Sequence, residues 1–200
     1  MGVILLQIAV VIAAYLLGSI NSAVLASKAL HLPDPRTAGS GNPGATNVLR
    51  VGNKSAAAIT LLGDLLKGYL PVLLTTVLTD DPLLVAAVGL AALLGHIYPA
   101  YYHFRGGKGV ATTLGVLLAM DWLLGVFWVL VWLATALVFR YSSVAAMTAM
   151  SITLGLVLVT PSEQIWTASV LAVITALIFW RHASNIRDLL AGKEIRFGED

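Results

Sequence analysis

Along the 200-residue chain, long apolar runs alternate with short polar breaks. Seven runs stand out, at 3–30, 55–78, 83–100, 109–120, 122–139, 144–159 and 165–180. A bilayer core about 30 Å thick takes about 20 helical residues, with a workable range of about 17–25. Most runs reach or approach that length. The run at 109–120 would extend only about 18 Å as a helix. It is expected either as a half-helix buried among the others or as a span that borrows residues from the preceding loop. The pattern predicts an all-α integral membrane protein with seven transmembrane helices, forming one membrane-embedded domain over 1–200. The first run lacks a basic start, is too long for the apolar part of a signal peptide and has no small-residue cleavage site. It is therefore read as a retained helix.

Composition sharpens this picture. Apolar residues make up 58% of the chain and charged residues 11%, against about 45–50% and about 25% in soluble domains. Cysteine is absent, which removes disulfides, thiol nucleophiles and thiolate-held metals. The four histidines are scattered, and none is paired with a carboxylate at ligand spacing. No metal, cofactor or nucleic-acid partner is expected. The net charge of +2 says less than where the charges sit. Lys28, Arg36, Arg50 and Lys54 flank the first connection, Arg105 and Lys108 lie in the third and Arg140 in the fifth. Arg181, Arg187, Lys193 and Arg196 follow the last run. The alternate connections carry Asp80, Asp81, Asp121 and Glu163 and no Lys or Arg. The positive-inside rule then puts the N-terminus outside and the C-terminus in the cytoplasm. Seven crossings satisfy that segregation; six would misplace two basic clusters. The outer connections are short turns, and the chemistry is expected on the cytoplasmic side.

Three cytoplasmic stretches carry the unusual residues. The first, 36–54, is rich in Gly, Ser, Asn, Thr and Arg. Its glycines permit tight turns and close backbone approach to a ligand, and its side chains are donors suited to an oxyanion. It lacks the Gly-Lys-Ser/Thr of a Walker A loop. Arg50 falls one helical turn after Thr46, so a helix starting there sets both on one face. Ser40 could be a donor or, with a base, a nucleophile; no His or acid is near in sequence, which favours the donor. The second stretch holds Gly106-Gly-Lys-Gly109 at the start of the short fourth run. Successive N–H groups around one lysine suit an anion. His96, just before it, reads as a hydrogen-bonded structural histidine. In the third stretch His182 and Asn185 are three residues apart, on one helical face. Within the second run, Asp64 and Lys67 share a helix face roughly mid-membrane. Ionisable groups at such depth pair or line a polar cavity, so either they form a mutual ion pair or Lys67 reaches an anionic substrate. Gly18-Ser-Ile-Asn-Ser22 is a small polar patch suited to helix–helix packing.

These motifs resemble those of the bacterial acyl-phosphate-dependent glycerol-3-phosphate acyltransferases. The resemblance rests on Ser40-Gly-Asn-Pro-Gly-Ala-Thr-Asn-Val-Leu-Arg50, on Gly95-His96 through Phe104-Arg-Gly-Gly-Lys-Gly-Val-Ala-Thr112, on Arg181-His182, Asn185 and Gly192-Lys-Glu194, and on Asp64 with Lys67-Gly68. It runs nearly end to end. It implies a multi-pass enzyme of the bacterial inner membrane that transfers a fatty acyl group from acyl phosphate to the 1-hydroxyl of sn-glycerol 3-phosphate. The products would be lysophosphatidic acid and phosphate, in the first step of phospholipid synthesis. Acyl carrier protein and coenzyme A would not be direct donors. Carried over residue by residue, Ser40, Asn42, Thr46, Arg50, Lys108, His182 and Asn185 line the site, and Gly44, Gly106 and Gly107 shape it.

An acyl phosphate is already activated, so such an enzyme needs chiefly positioning and electrostatic stabilisation. Lys108, with the Gly106 and Gly107 N–H groups, is expected to polarise the acyl phosphate. Arg50 and Ser40 are expected to hold a substrate phosphate, and His182 or Asn185 to orient the glycerol hydroxyl. The base is either His182 or the substrate's own phosphate. A transporter of a small phosphorylated anion is the competing reading, since intramembrane Asp64–Lys67 and a short helix would fit it.

Overall fold

The apolar runs fold as helices in a computed structural model that describes residues 1–51, 53–160 and 165–198. Glu163 and most of the expected 160–164 connection lie outside the described residues. The chain forms two compact units, Met1–Met120 and Asp121–Asp200.

The first unit contains α1 (Gly2–Gly18), α2 (Ser22–Ala29), α3 (Ala45–Arg50), α4 (Lys54–Leu78), α5 (Pro82–Ile97), a 3-10 turn (Ala100–Tyr102) and α6 (Val110–Met120). The run at 3–30 is thus two helices and not one, bent by 43°. The polar patch causes the break. The Ser19 hydroxyl donates to the Tyr15 carbonyl at 2.8 Å, and the Asn21 side chain caps α2 by accepting from Val24 N at 3.2 Å. An Asn at that position satisfies a helix-terminal donor and so favours a restart over continuation. The same patch also packs, as expected: Gly18 lies against the Ala92 carbonyl and Gly95 against the Tyr15 carbonyl, with no room for a Cβ at either. The α4–α6 contact repeats the device, Gly68 against Thr112 and Gly115 against Leu65. Glycine pairs of this kind let helix backbones approach closely where lipid offers no hydrophobic drive.

The second unit contains α7 (Trp122–Phe139), α8 (Ser142–Val159), α9 (Ile165–Arg181) and α10 (Ala183–Leu190). The run at 165–180 continues through a 54° bend at His182 into α10. The tail folds back onto the α7–α8 turn. Arg140 donates to the Phe197 carbonyl at 2.6 Å, Arg196 donates to the Tyr141 hydroxyl at 2.9 Å, and Phe197 meets Trp132 edge-on.

Among the described residues, four helices are long and apolar enough to cross a membrane alone, and the two bent pairs raise this to as many as six. As the run at 109–120 led one to expect, α6 is shorter, 11 residues. Its Thr112, Thr113, Gly115, Val116 and Leu117 are buried, so it is enclosed by protein. Leucines, isoleucines and valines such as Leu78, Leu137 and Val138 remain exposed, an outer surface that only lipid would cover favourably.

Candidate active site

Asn47 organises the first polar stretch. Its side chain is buried, 1% exposed. Oδ1 accepts from the backbone N–H of Ser40 at 2.7 Å. Nδ2 donates to the carbonyls of Pro35, at 2.8 Å, and Ala38, at 3.0 Å. Gly39 and Gly41 on either side of Ser40 have φ of +59° and +71°, a region that costs glycine little. At Gly39 a Cβ would also strike Asn47 Oδ1. The result is a tight reversal that holds Ser40 at an exposed tip. Asn42 and Gly44 close the turn through Gly44 N–H to the Asn42 carbonyl at 2.9 Å. Gly44 then opens α3, where Thr46 and Arg50 occupy positions four apart on one face. Both are half-buried.

Asp34 and Arg36 brace the loop by a two-pronged pair, 2.6 Å at its shortest. That hydrogen-bonded guanidinium holds the Asp34 carboxyl below the usual carboxylate range, against a smaller opposing effect of burial. Arg36 also lies 5.6 Å over the Tyr102 ring, which ties this stretch to the second one. Asp34, Arg36, Thr37, Tyr102, His103 and Arg105 are among the residues that line a cavity of about 640 Å³ between the two.

The second stretch departs from expectation at its glycines. Gly106 N–H donates to the Ile97 carbonyl and Gly107 N–H to the His96 carbonyl, both at 3.2 Å. These amides do not form the anion cradle anticipated from the glycine run; they cap the carbonyl-rich end of α5. A Cβ at Gly106 would overlap the His96 carbonyl, and one at Gly107 would overlap the His96 ring. The glycines therefore shape the turn by close packing. Lys108 follows directly, half-buried, and Gly109 (φ +87°) leads into α6.

Behind the turn lies a buried polar chain. Lys67 Nζ donates to Asp64 Oδ1 at 2.8 Å and to the Ile20 carbonyl, freed at the α1–α2 break, at 2.7 Å. His96 Nδ1 stands 3.6 Å from Asp64 Oδ1 and 3.2 Å from Thr112 Oγ1. The two readings of Asp64 and Lys67 resolve towards the ion pair: Lys67 is 5% exposed, and its ammonium points to these acceptors instead of outward to a substrate. The pair on which the transport reading leaned is thus occupied within the protein.

In the second unit, His182 sits at the α9–α10 bend with Nδ1 2.7 Å from the Ile178 carbonyl. A carbonyl only accepts, so Nδ1 carries the proton and Nε2 of the neutral ring keeps its lone pair. Asn185 donates to Glu194 Oε1 at 2.7 Å, and the Ser143 hydroxyl donates to the same oxygen at 2.8 Å. Glu194 thereby fixes the Asn185 amide. The sequence had assigned no role to Asn47, Thr112, Ser143 or Glu194.

A family model described as glycerol-3-phosphate acyltransferase matches residues 8–192. The chain is 51% identical over 194 residues to a glycerol-3-phosphate acyltransferase of Thioalkalivibrio sulfidiphilus, covering 97% of this chain and 95% of that one. It is 52% identical to that of Halorhodospira halophila over 97% of this chain and 98% of the relative, and 54% identical to that of Methylobacillus flagellatus over 94% and 96%. Among solved structures it resembles PlsY (YgiH), an integral membrane glycerol 3-phosphate acyltransferase, in its glycerol 3-phosphate form. There the TM-score is 0.91 with 41% identity, over 96% of each chain. The lysophosphatidic acid form gives a TM-score of 0.89 at the same identity and coverage. With its apolar helices, this chain is likewise an all-helical integral membrane protein.

Proposed function

The chain belongs to the glycerol-3-phosphate acyltransferase family, and on that premise we propose that it acylates the 1-hydroxyl of sn-glycerol 3-phosphate with acyl phosphate as donor. The near end-to-end likeness to an enzyme known in glycerol 3-phosphate and lysophosphatidic acid forms carries this reading. Those two forms differ by one acyl group. An acyl phosphate suits a chain without cysteine, because the mixed anhydride needs no enzyme nucleophile to activate it. Neither acyl carrier protein nor coenzyme A is then required as direct donor, and the three relatives compared above carry an acyltransferase name.

In the step we envisage, the glycerol 1-oxygen attacks the acyl carbonyl carbon. A new ester C–O bond forms, the anhydride C–O bond breaks and inorganic phosphate leaves. The hydroxyl proton passes to His182 Nε2 or to a substrate phosphate. Lys108 is assigned to the charge that develops on the departing phosphate. Arg50, Thr46, Asn42 and Ser40, the last as donor and not nucleophile, are assigned to a substrate phosphate. Asn185, steadied by Glu194, is assigned with His182 to the glycerol hydroxyl. Gly44, Gly106 and Gly107 set the backbone, and Lys67 acts from behind through its ion pair. The reading takes 1–200 as one functional domain of a bacterial inner membrane, with seven crossings and a cytoplasmic site.

Purified protein in detergent, given palmitoyl phosphate and glycerol 3-phosphate, should release phosphate and form lysophosphatidic acid in equal amounts. Product from palmitoyl-coenzyme A or palmitoyl-acyl carrier protein, with none from palmitoyl phosphate, would overturn the donor assignment.

A further inference from the structure

In the buried chain Lys67–Asp64–His96–Thr112, only Lys67 has been given a part in the reaction, through its ion pair with Asp64. The chain's members are 5%, 3%, 6% and 0% exposed. Two opposite charges at such burial are costly to desolvate and are poor sources of net stability. Their geometry serves placement. Lys67 is anchored to the Ile20 carbonyl at the α1–α2 break, and Asp64 is anchored to Lys67. The His96 ring is set between Asp64 and Thr112, the latter in the first turn of α6. Its opposite edge, at Nε2, packs against Gly107, where a Cβ would overlap it. The His96 carbonyl accepts the Gly107 N–H. One residue therefore grips the chain just before Lys108, by ring packing and by a hydrogen bond, and again just after it, at Thr112.

We infer that His96, held by Asp64 and Lys67, is a positioning residue that fixes the Gly107–Thr112 turn and so aims Lys108 at the donor phosphate. This rests on the assignment of Lys108 to that phosphate. His96 thereby has a purpose beyond that of a hydrogen-bonded structural histidine. The same role explains why an ion pair persists in α4 although neither partner faces solvent.

The test is a double-mutant cycle on the purified enzyme, with kcat and both KM values measured at saturating second substrate. Lys108→Ala should lower kcat by about 10²–10³. His96→Leu, which keeps volume but loses the polar contacts, should lower kcat by roughly tenfold or more, with the KM for glycerol 3-phosphate unchanged. In the Lys108→Ala background, His96→Leu should cost less than about twofold, because the residue acts only through Lys108. His96→Asn, which can return a polar atom near Nδ1, should recover most of the loss. If His96→Leu does not yield folded protein, Thr112→Val removes only the hydroxyl contact and should give a smaller kcat loss with the same dependence on Lys108.

Full additivity of either variant with Lys108→Ala would overturn the positioning role, as would an effect confined to thermal stability. A Lys108→Ala enzyme with wild-type kcat would instead overturn the Lys108 assignment. The two failures are therefore distinguishable.

Discussion

At the scale of single residues, His182 carries the sharpest question, where the hydroxyl proton goes. Its Nδ1 is committed to the Ile178 carbonyl, so the neutral ring offers Nε2 as an acceptor without any tautomer change. A glutamine there can hydrogen-bond but cannot take a proton at neutral pH. His182→Gln should therefore lower kcat by about 10²–10⁴-fold if His182 is the base, with the KM for glycerol 3-phosphate little changed. A loss of only about tenfold hands the proton to a substrate phosphate. His182 was legible in the sequence because a basic tail with His and Asn on one face reads as chemistry. Asn47 was not, although it sets the Ser40 loop. Its work is to satisfy backbone groups that come from residues up to twelve positions away, and spacing along the chain does not encode that meeting. The glycines at 106 and 107 misled for a related reason. Free N–H groups and N–H groups paired with a helix end have the same sequence, and only the α5 carbonyls distinguish them.

At the scale of elements, the apolar runs were legible because bilayer thickness fixes a helix length that composition reveals directly. The bends were not. At 19–21 the apolar run continues past the break through Ile20, and what stops the helix is the capping geometry of Ser19 and Asn21. Apolarity also says nothing about which glycines are interfaces. The structure separates them, and the separation is measurable. In α4, a Cβ on Gly68 would overlap the Thr112 carbonyl, which is backbone and cannot swing aside. In α8, Gly155 has nothing within 4 Å of that position. Gly68→Ala should cost about 1–3 kcal/mol through overpacking and lower the unfolding midpoint in detergent. Gly155→Ala should be neutral or gain about 0.5–1 kcal/mol, since alanine suits a helix interior better than glycine. Equal midpoints for the two variants would mean that α4 and α6 separate without cost, and the close backbone approach would lose its structural importance.

At the scale of the whole molecule, the charge segregation asks which connections lie on which side, and the structure changes how that segregation is weighed. Asp81 and Asp121, two of the acids in the proposed outer connections, are helix N-caps. Asp81 accepts from Leu83 and Leu84 N–H, and Asp121 accepts from Leu123 and Leu124 N–H. Their position is explained by capping, so they add little to a topological argument. The weight falls on the lysines and arginines, which do bias orientation. The critical element is α6, whose 11 residues extend about 16 Å, roughly half of a 30 Å core. If it crosses, Arg105 and Trp122 lie on opposite faces of the membrane; if it turns back, they share one. The absence of cysteine makes this accessible, because a single introduced thiol is the only one present. Trp122 is 65% exposed and is not itself the cap, so Trp122→Cys leaves the start of α7 intact. In intact cells with a permeable outer membrane, a membrane-impermeant maleimide should label Trp122→Cys, while Arg105→Cys should label only after the inner membrane is opened. Labelling of both thiols only after opening would make α6 re-entrant. The count of crossings would then fall to six, and the three crossings on either side of α6 would place both termini outside the inner membrane.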